Sequence, residues 1–340
     1  MLYAVLAAWL IGTIGTALAI RYAHAHALLD QPGDRRSHAM PTPRGGGVAI
    51  VVAVAVVGVS LVVGQGSRGS GQLGLVMPFL AGLGLVAAIG WADDHSPLPA
   101  PARMLMHVLA AGVFAVAVWF QTKHPGLATL AFVAPVVLTN VWNFMDGING
   151  IAATQAVVVA AFLSLALSGA WMALGLATAA ATWAFVPYNF PRARVFMGDV
   201  GSGAIGFTLG CLTAVAASRV LESAPARASV LLLALPLSAF LVDTALTLSG
   251  RILRRERWWT PHVLHAYQRV ARTAGHGRVT MGFLGWTLLA CAVALLTSSQ
   301  SDIFIISIVA GWYTLGAVLW FVLQEWARAQ HSVVRSRNSA

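Results

Sequence analysis

FLAGLGLVAAIGWADDHSPLPAPAR, residues 79–103, carries an apolar run onto two adjacent carboxylates, Asp93 and Asp94. Acids are scarce in this chain, with only 11 Asp and Glu among 340 residues, so two side by side at the end of a greasy helix demand a reason. The run also decides the fold class. Apolar runs of about 20 residues, the length that crosses a bilayer core as a helix, recur along the whole sequence. The chain is 58% hydrophobic and 9% charged, with a mean hydropathy of +0.77, where a soluble domain carries roughly 25% charged residues. Lipid gives the backbone no hydrogen-bond partner, so only helices or a closed barrel can span. The runs are continuous rather than alternating, which selects helices. The expected fold is all-α: a polytopic integral membrane protein, residues 1–340 forming one transmembrane domain with a basic tail over 325–340.

The expected spans are 2–20, 47–64, 74–92, 103–120, 127–145, 151–168, 171–189, 201–217, 228–250, 281–298 and 303–324, eleven in all. The first is expected to be a retained span rather than a cleaved leader, because its positive residues follow the apolar run instead of preceding it. An odd number puts the termini on opposite sides. One set of loops holds 17 of the 21 Lys and Arg, and the other holds Arg68, Lys123, Arg219 and Arg227. Cationic loops stay cytoplasmic, so the N-terminus is expected outside and the C-terminus inside. Most acids gather at the same face. Cys211 and Cys291 lie in apolar runs and suggest neither a disulfide framework nor a zinc site.

Four stretches at that face carry chemistry. DQPGDRRSHAMPTPRGGGVAI, residues 30–50, brings three glycines and Arg44 together, a backbone that can approach an anion closely. In GWADDHSPLP the two aspartates point about 100° apart on a helix, so one can face a metal or phosphate while the other faces a neighbour. An unpaired acid at a membrane usually marks a site. In TNVWNFMDGINGIAATQ, residues 139–155, Asn140, Asn143 and Asp146 share one helix face, and their oxygens suit a hard cation such as Mg²⁺. In PYNFPRARVFMGDVGSGAIGF, residues 187–207, Asp199 opens a helix whose N–H groups can receive an anion. Each stretch also has a plain reading as loop, helix end or packing face. Together they supply oxygen ligands for a divalent cation and donors for phosphates, which is equipment for phosphoryl transfer.

With these motifs in this order, the chain resembles the polyprenyl-phosphate N-acetylhexosamine-1-phosphate transferases, glycosyltransferase family 4, from about residue 30 to 280. PHVLHAYQRV, residues 261–270, looks like the branch that starts O-antigen or related surface polysaccharides. The resemblance implies an enzyme of the bacterial inner membrane with its active site on the cytoplasmic face. It would move a sugar-1-phosphate from a UDP-N-acetylhexosamine to undecaprenyl phosphate, with Mg²⁺ (Mn²⁺ as alternative), and release UMP. It implies Asp199 and Asn143 as metal ligands, and Asp93 and Asp94 beside the lipid phosphate, one of them a base. Asp146 and Asn149 would line the nucleotide pocket, Asn189 would hold the nucleotide, and Phe196 would stack on uracil. Arg103, His262 and His265 would contact phosphates. The family often has a second Asp where this chain has Asn149, which leaves a hydrogen bond to the base as the expected role there. Asp243 matches a family acid and is expected to support the structure.

The expected partners are the sugar nucleotide, the polyprenyl phosphate and membrane lipids, with no nucleic acid and with a homodimer left open. The rivals are a transporter of an anionic solute, which would want ionisable groups at the bilayer midplane and repeated halves, a CDP-alcohol phosphotransferase, whose dense Asp motif is missing, and a non-catalytic relative that binds nucleotide or lipid.

Overall fold

One helix organises all the others. The computed structural model describes residues 1–31, 40–65, 73–223, 226–256 and 263–337. Its helices are α1 (Leu2–Ala25), α2 (Val48–Gln65), α3 (Val76–His95), α4 (Ala100–Thr122), α5 (Pro125–Met145), α6 (Ile151–Leu165), α7 (Gly169–Asn189), α8 (Gly198–Ser223), α9 (Ser238–Leu253), α10 (Ala266–Ala274), α11 (His276–Thr297) and α12 (Asp302–Arg337). The 3₁₀ segment Arg227–Ala234 leads into α9. Helix α8 stands in the middle, packed by α2, α3, α5, α6 and α7, and every residue from Val200 to Ala217 is buried.

The sequence of α8 explains that position. Small residues recur every fourth place at Gly198, Ser202, Gly206, Gly210 and Ala214. In lipid, helices gain little from the hydrophobic effect against one another and associate through close packing of such small residues. A Cβ on Gly206 would strike the carbonyl of Leu138, and one on Gly210 would strike the backbone of Pro135. Pro135 has no N–H to place in the α5 ladder, and Gly210 lets α8 close onto it. By contrast α12 buries little and faces outward.

Each of the eleven expected segments is helical. Among the described residues eight helices are long and apolar enough to cross a membrane, or nine if the pair Arg227–Ala234 with Ser238–Leu253, bent by 73°, counts as one span. The apolar helices over residues 48–64 and 151–165 are shorter. Between the ninth and tenth expected spans lie α10 and the first turn of α11.

The polar stretches meet at one end of the bundle. A two-residue pairing, β1 (Leu29–Asp30) with β2 (Thr42–Pro43), leads into the glycine run. Phe196 N–H donates to Pro43 O (2.7 Å), Gly46 N–H to Phe196 O (3.0 Å) and Gly47 N–H to Met197 O (2.9 Å). Asp34, Arg35 and Arg36 of the first motif lie outside the described residues.

Replacing Gly206 by Leu should cost about 3 kcal/mol or more through overpacking against the α5 backbone. The expected result is a lower thermal midpoint in detergent and a loss of the monodisperse fraction, whereas Gly112→Leu, where a Cβ meets nothing within 4 Å, should leave both unchanged.

Candidate active site

Asp94 is the hinge of the site. Its carboxylate accepts from Asp199 N–H (2.9 Å) and Val200 N–H (3.1 Å), two donors in the first turn of α8. The same carboxylate pairs with Arg44 at 2.8 Å. A helix start attracts anions because its N–H groups are unpaired and its dipole is positive there. The anion that α8 receives is Asp94 itself, and Asp94 is 4% exposed. The turn of α8 expected to present donors to a phosphate is thus occupied by a side chain of the protein. The three-glycine run is likewise reassigned. Gly47 and Gly201 meet backbone to backbone, so that a Cβ on Gly201 would lie 2.6 Å from Gly47 Cα, and the close approach serves this joint rather than a ligand.

Asp93, pointing the other way on α3, is held differently. Its Oδ1 accepts from Leu98 N–H (2.6 Å), and its Oδ2 accepts from Arg103 Nη1 (2.9 Å). The same Arg103 nitrogen lies 2.7 Å from Asp199 Oδ2. Arg44 reaches the other side of Asp199, at 3.8 Å from Oδ1. Asp146 completes the group. It does not continue the face of Asn140 and Asn143, because α5 stops at Met145 and Asp146 caps it with φ −89° and ψ 47°. Its carboxylate has no hydrogen-bond or ion-pair partner among the described residues. Desolvation, with the negative charges of Asp199 and Asp94, pushes its carboxyl well above the usual range.

Four carboxyl groups thus gather around two guanidiniums, more acids than the cations present can neutralise, and the raised Asp146 carboxyl is one result of that imbalance. Among the described residues no three His, Cys, Asp or Glu form a ready metal cage. Mg²⁺ does not require one, because it is usually held by one or two carboxylates together with substrate phosphates and water. The charge deficit, the unpartnered Asp146 and the all-oxygen donor set fit a hard divalent cation.

Next to the carboxylates lies a cavity of about 360 Å³ between α3, α4, α5 and α8, walled by Ile89, Pro101, Met104 and Phe144 and bearing Arg103, Asn140, Asn143 and Asp199. Asn143 donates to Ser202 Oγ (3.2 Å), which leaves its carbonyl oxygen for a ligand. Asn140 donates to Val136 O (2.8 Å). His107, one turn after Arg103, also lines this cavity, and its buried Nδ1 has no hydrogen-bond partner. Sequence reasoning missed His107. Its i+4 spacing from Arg103 within an otherwise apolar helix was the available signal.

The remaining candidates form a rim that holds the loops. Asn189 accepts from Gly150 N–H (2.7 Å) and donates to Val195 O (2.9 Å). With both ends of its amide on backbone and 3% exposure, it clamps the loop beside the site. Asn149 donates to Pro191 O (3.1 Å), and Phe196 is half-buried. His265 is 2% exposed and lies 3.3 Å from Asp243, in the wall of the site. Asp243 accepts from Ala266 N–H, Tyr267 N–H and Trp320 Nε1 (3.0, 3.1 and 3.0 Å), capping α10 in the supporting role expected for it. Tyr267 in turn donates to Phe144 O (2.9 Å) and braces the turn that carries Asp146. His262 lies outside the described residues.

The model for glycosyl transferase family 4 matches residues 75–217, the segment that contains Asp93, Asp94, Arg103, Asn143, Asp146 and Asp199. Over that segment the chain is similar to the family. A decaprenyl-phosphate N-acetylglucosaminephosphotransferase of Mycolicibacterium smegmatis is 29% identical over 79% of this chain and 74% of its own length. A phospho-N-acetylmuramoyl-pentapeptide-transferase of Deinococcus radiodurans is 29% identical over 75% of this chain and 84% of its own. One of the same name from Moorella thermoacetica reaches 43%, but over only 26% of this chain and 28% of its own. The chain is therefore similar, over about three quarters of its length, to relatives of two kinds.

Two substitutions should move stability in opposite directions. Asp94→Ala strands two helix N–H groups and unpairs Arg44, and should cost about 3 kcal/mol. Asp146→Asn should stabilise the protein in metal-free buffer. The Asp146 carboxyl holds its proton more tightly folded than unfolded, so folding weakens as pH rises above the ordinary value of 3.8. Thermal midpoints measured from pH 4 to 8 should show the gain of Asp146→Asn growing with pH and vanishing at the acid end, and added Mg²⁺ should shrink it.

Proposed function

We propose that this protein transfers an N-acetylhexosamine-1-phosphate from a UDP-sugar to undecaprenyl phosphate, with Mg²⁺, at the cytoplasmic face of a bacterial inner membrane. The product, a polyprenyl-diphospho-sugar, would begin a lipid-linked surface glycan. One observation carries the reading. The polar end of an apolar cavity coincides with a cluster of carboxyl groups that outnumbers its cations. A long apolar alcohol phosphate and a soluble diphosphate could meet there. The relatives named above, whose names specify polyprenyl-phosphate and phospho-sugar transfer, support it.

The side chains divide the work as follows. The apolar walls of the cavity take the first part of the lipid, and Arg103 receives its phosphate. Asp93, with one oxygen on Leu98 N–H, sits where it can accept the phosphate proton. The lipid phosphate oxygen then attacks the β-phosphorus of the UDP-sugar in line, and the bond to UMP breaks. Asp199 and Asn143 would hold the divalent cation, which when bound neutralises the diphosphate and stabilises departing UMP. Asp94 acts at one remove. It fixes Asp199 by fixing the start of α8. The basic loops, and with them this end of the bundle, face the cytoplasm in this reading.

A transfer assay tests it. Purified protein with undecaprenyl phosphate, Mg²⁺ and a panel of radiolabelled UDP-sugars should yield labelled lipid and UMP with an N-acetylhexosamine donor. No lipid product with any donor would sink the proposal. Asp93→Asn should lower kcat about 10²–10⁴-fold with little change in the KM for the UDP-sugar, and Asp199→Asn should abolish transfer while the protein stays folded. Cysteines introduced at 192 and 222 should be labelled from the cytoplasmic and the outer side respectively.

A further inference from the structure

Arg103 holds two positions that a working site would pull apart. Its Nη1 bridges Asp93 at 2.9 Å and Asp199 at 2.7 Å, and the same side chain lines the apolar cavity. A guanidinium has five N–H donors and binds phosphate well. Here its bridging nitrogen serves two carboxylates. Arg44 is placed differently, close to Asp94 at 2.8 Å and distant from Asp199 at 3.8 Å. Arg103 is thus the cation in close contact with Asp199, the oxygen ligand that a divalent cation would need.

We infer that Arg103 is an internal counter-ion on Asp199 that a divalent cation displaces, and that the displaced guanidinium becomes the positioning residue for a lipid monophosphate in the cavity. The inference rests on the metal and lipid-phosphate reading above and adds an order to it. Two like charges cannot share one carboxylate in a low-dielectric site without strong repulsion. The cation on Asp199 therefore drives Arg103 off. Asp93 remains as its partner, so the side chain stays on the cavity wall with donors to spare. A phosphate that takes those donors keeps Arg103 from returning. Cation and lipid phosphate consequently strengthen each other, and the lipid is held ready only when the cation is in place.

The test uses binding, not turnover. Full-length protein in nanodiscs, without sugar nucleotide, is titrated with Mn²⁺ by electron paramagnetic resonance, with and without undecaprenyl phosphate. In the unmutated protein the lipid should tighten Mn²⁺ binding about tenfold, and by linkage Mn²⁺ should tighten lipid binding by the same factor. Arg103→Gln should bind Mn²⁺ more tightly than the unmutated protein in the absence of lipid, and the coupling should disappear. Inorganic phosphate at equal concentration should have a much weaker effect, because the apolar walls contribute to holding a lipid.

An unchanged Mn²⁺ affinity on adding the lipid overturns the inference, and this arm needs no mutation. Coupling that survives in Arg103→Gln overturns it too, since the lipid phosphate would then act on the cation directly. An equal effect of inorganic phosphate overturns the lipid assignment. Absence of Mn²⁺ binding in every sample would instead strike the metal reading beneath it.

Discussion

The contact of the Asp94 carboxylate with two N–H groups in the first turn of α8 is the constraint on which the rest depends. It ties the last turn of α3 to the first turn of the central helix. It consumes the anion-seeking end of α8 inside the protein, and it anchors Arg44 from the glycine run. Asp199 follows from it, since its own N–H is one of the two donors. In water such a cap is worth about 1 kcal/mol. Here the partners are buried at a membrane boundary, and any one of them left alone would be an uncompensated polar group. The geometry of the clustered carboxylates is therefore inherited from a structural bond.

That dependence explains how the two aspartates of the opening stretch differ. Adjacent residues on a helix diverge, and the neighbours decide the rest. Asp94 faces protein backbone and is saturated. Asp93 faces a short loop and a mobile class of partner, an arginine. The sequence made the divergence legible but not its assignment, because which carboxylate meets which helix start is a tertiary fact. The same limit separates other residues. The apolar runs announced the eleven long segments through their continuity but not the short polar α10, and the small residues four apart in α8 show their purpose only once its neighbours are known. The four polar stretches were legible as one constellation. Asn189 and His265 were not, because a clamp on backbone carbonyls and a contact with ligand draw on the same residue types. Asp146 appeared to extend the face of Asn140 and Asn143 only while α5 was assumed to continue past Met145.

The bundle also separates two kinds of rigidity. Around α8 the fit is made by missing side chains, and the contacts are between backbones. Around α10 it is made by a side chain, Asp243, which gathers donors from α10 and α12. Both devices put a carboxylate at the start of a helix. One ties α3 to α8, and the other ties α9 to α10 and α12.

The meeting of Gly47 with Gly201 has a consequence for the history of such a chain. Each glycine is the only residue that fits while the other is present, and enlarging either pushes one backbone off the other. No order of single replacements leads away from this pair, since relief would require α2 and α8 to separate first, and that would undo the cap at Asp94. The joint is a one-way gate in sequence space. Once two backbones have closed to this distance, descendants can drift at the lipid-facing surface of α12 or along α1, but they carry this particular absence of atoms forward intact.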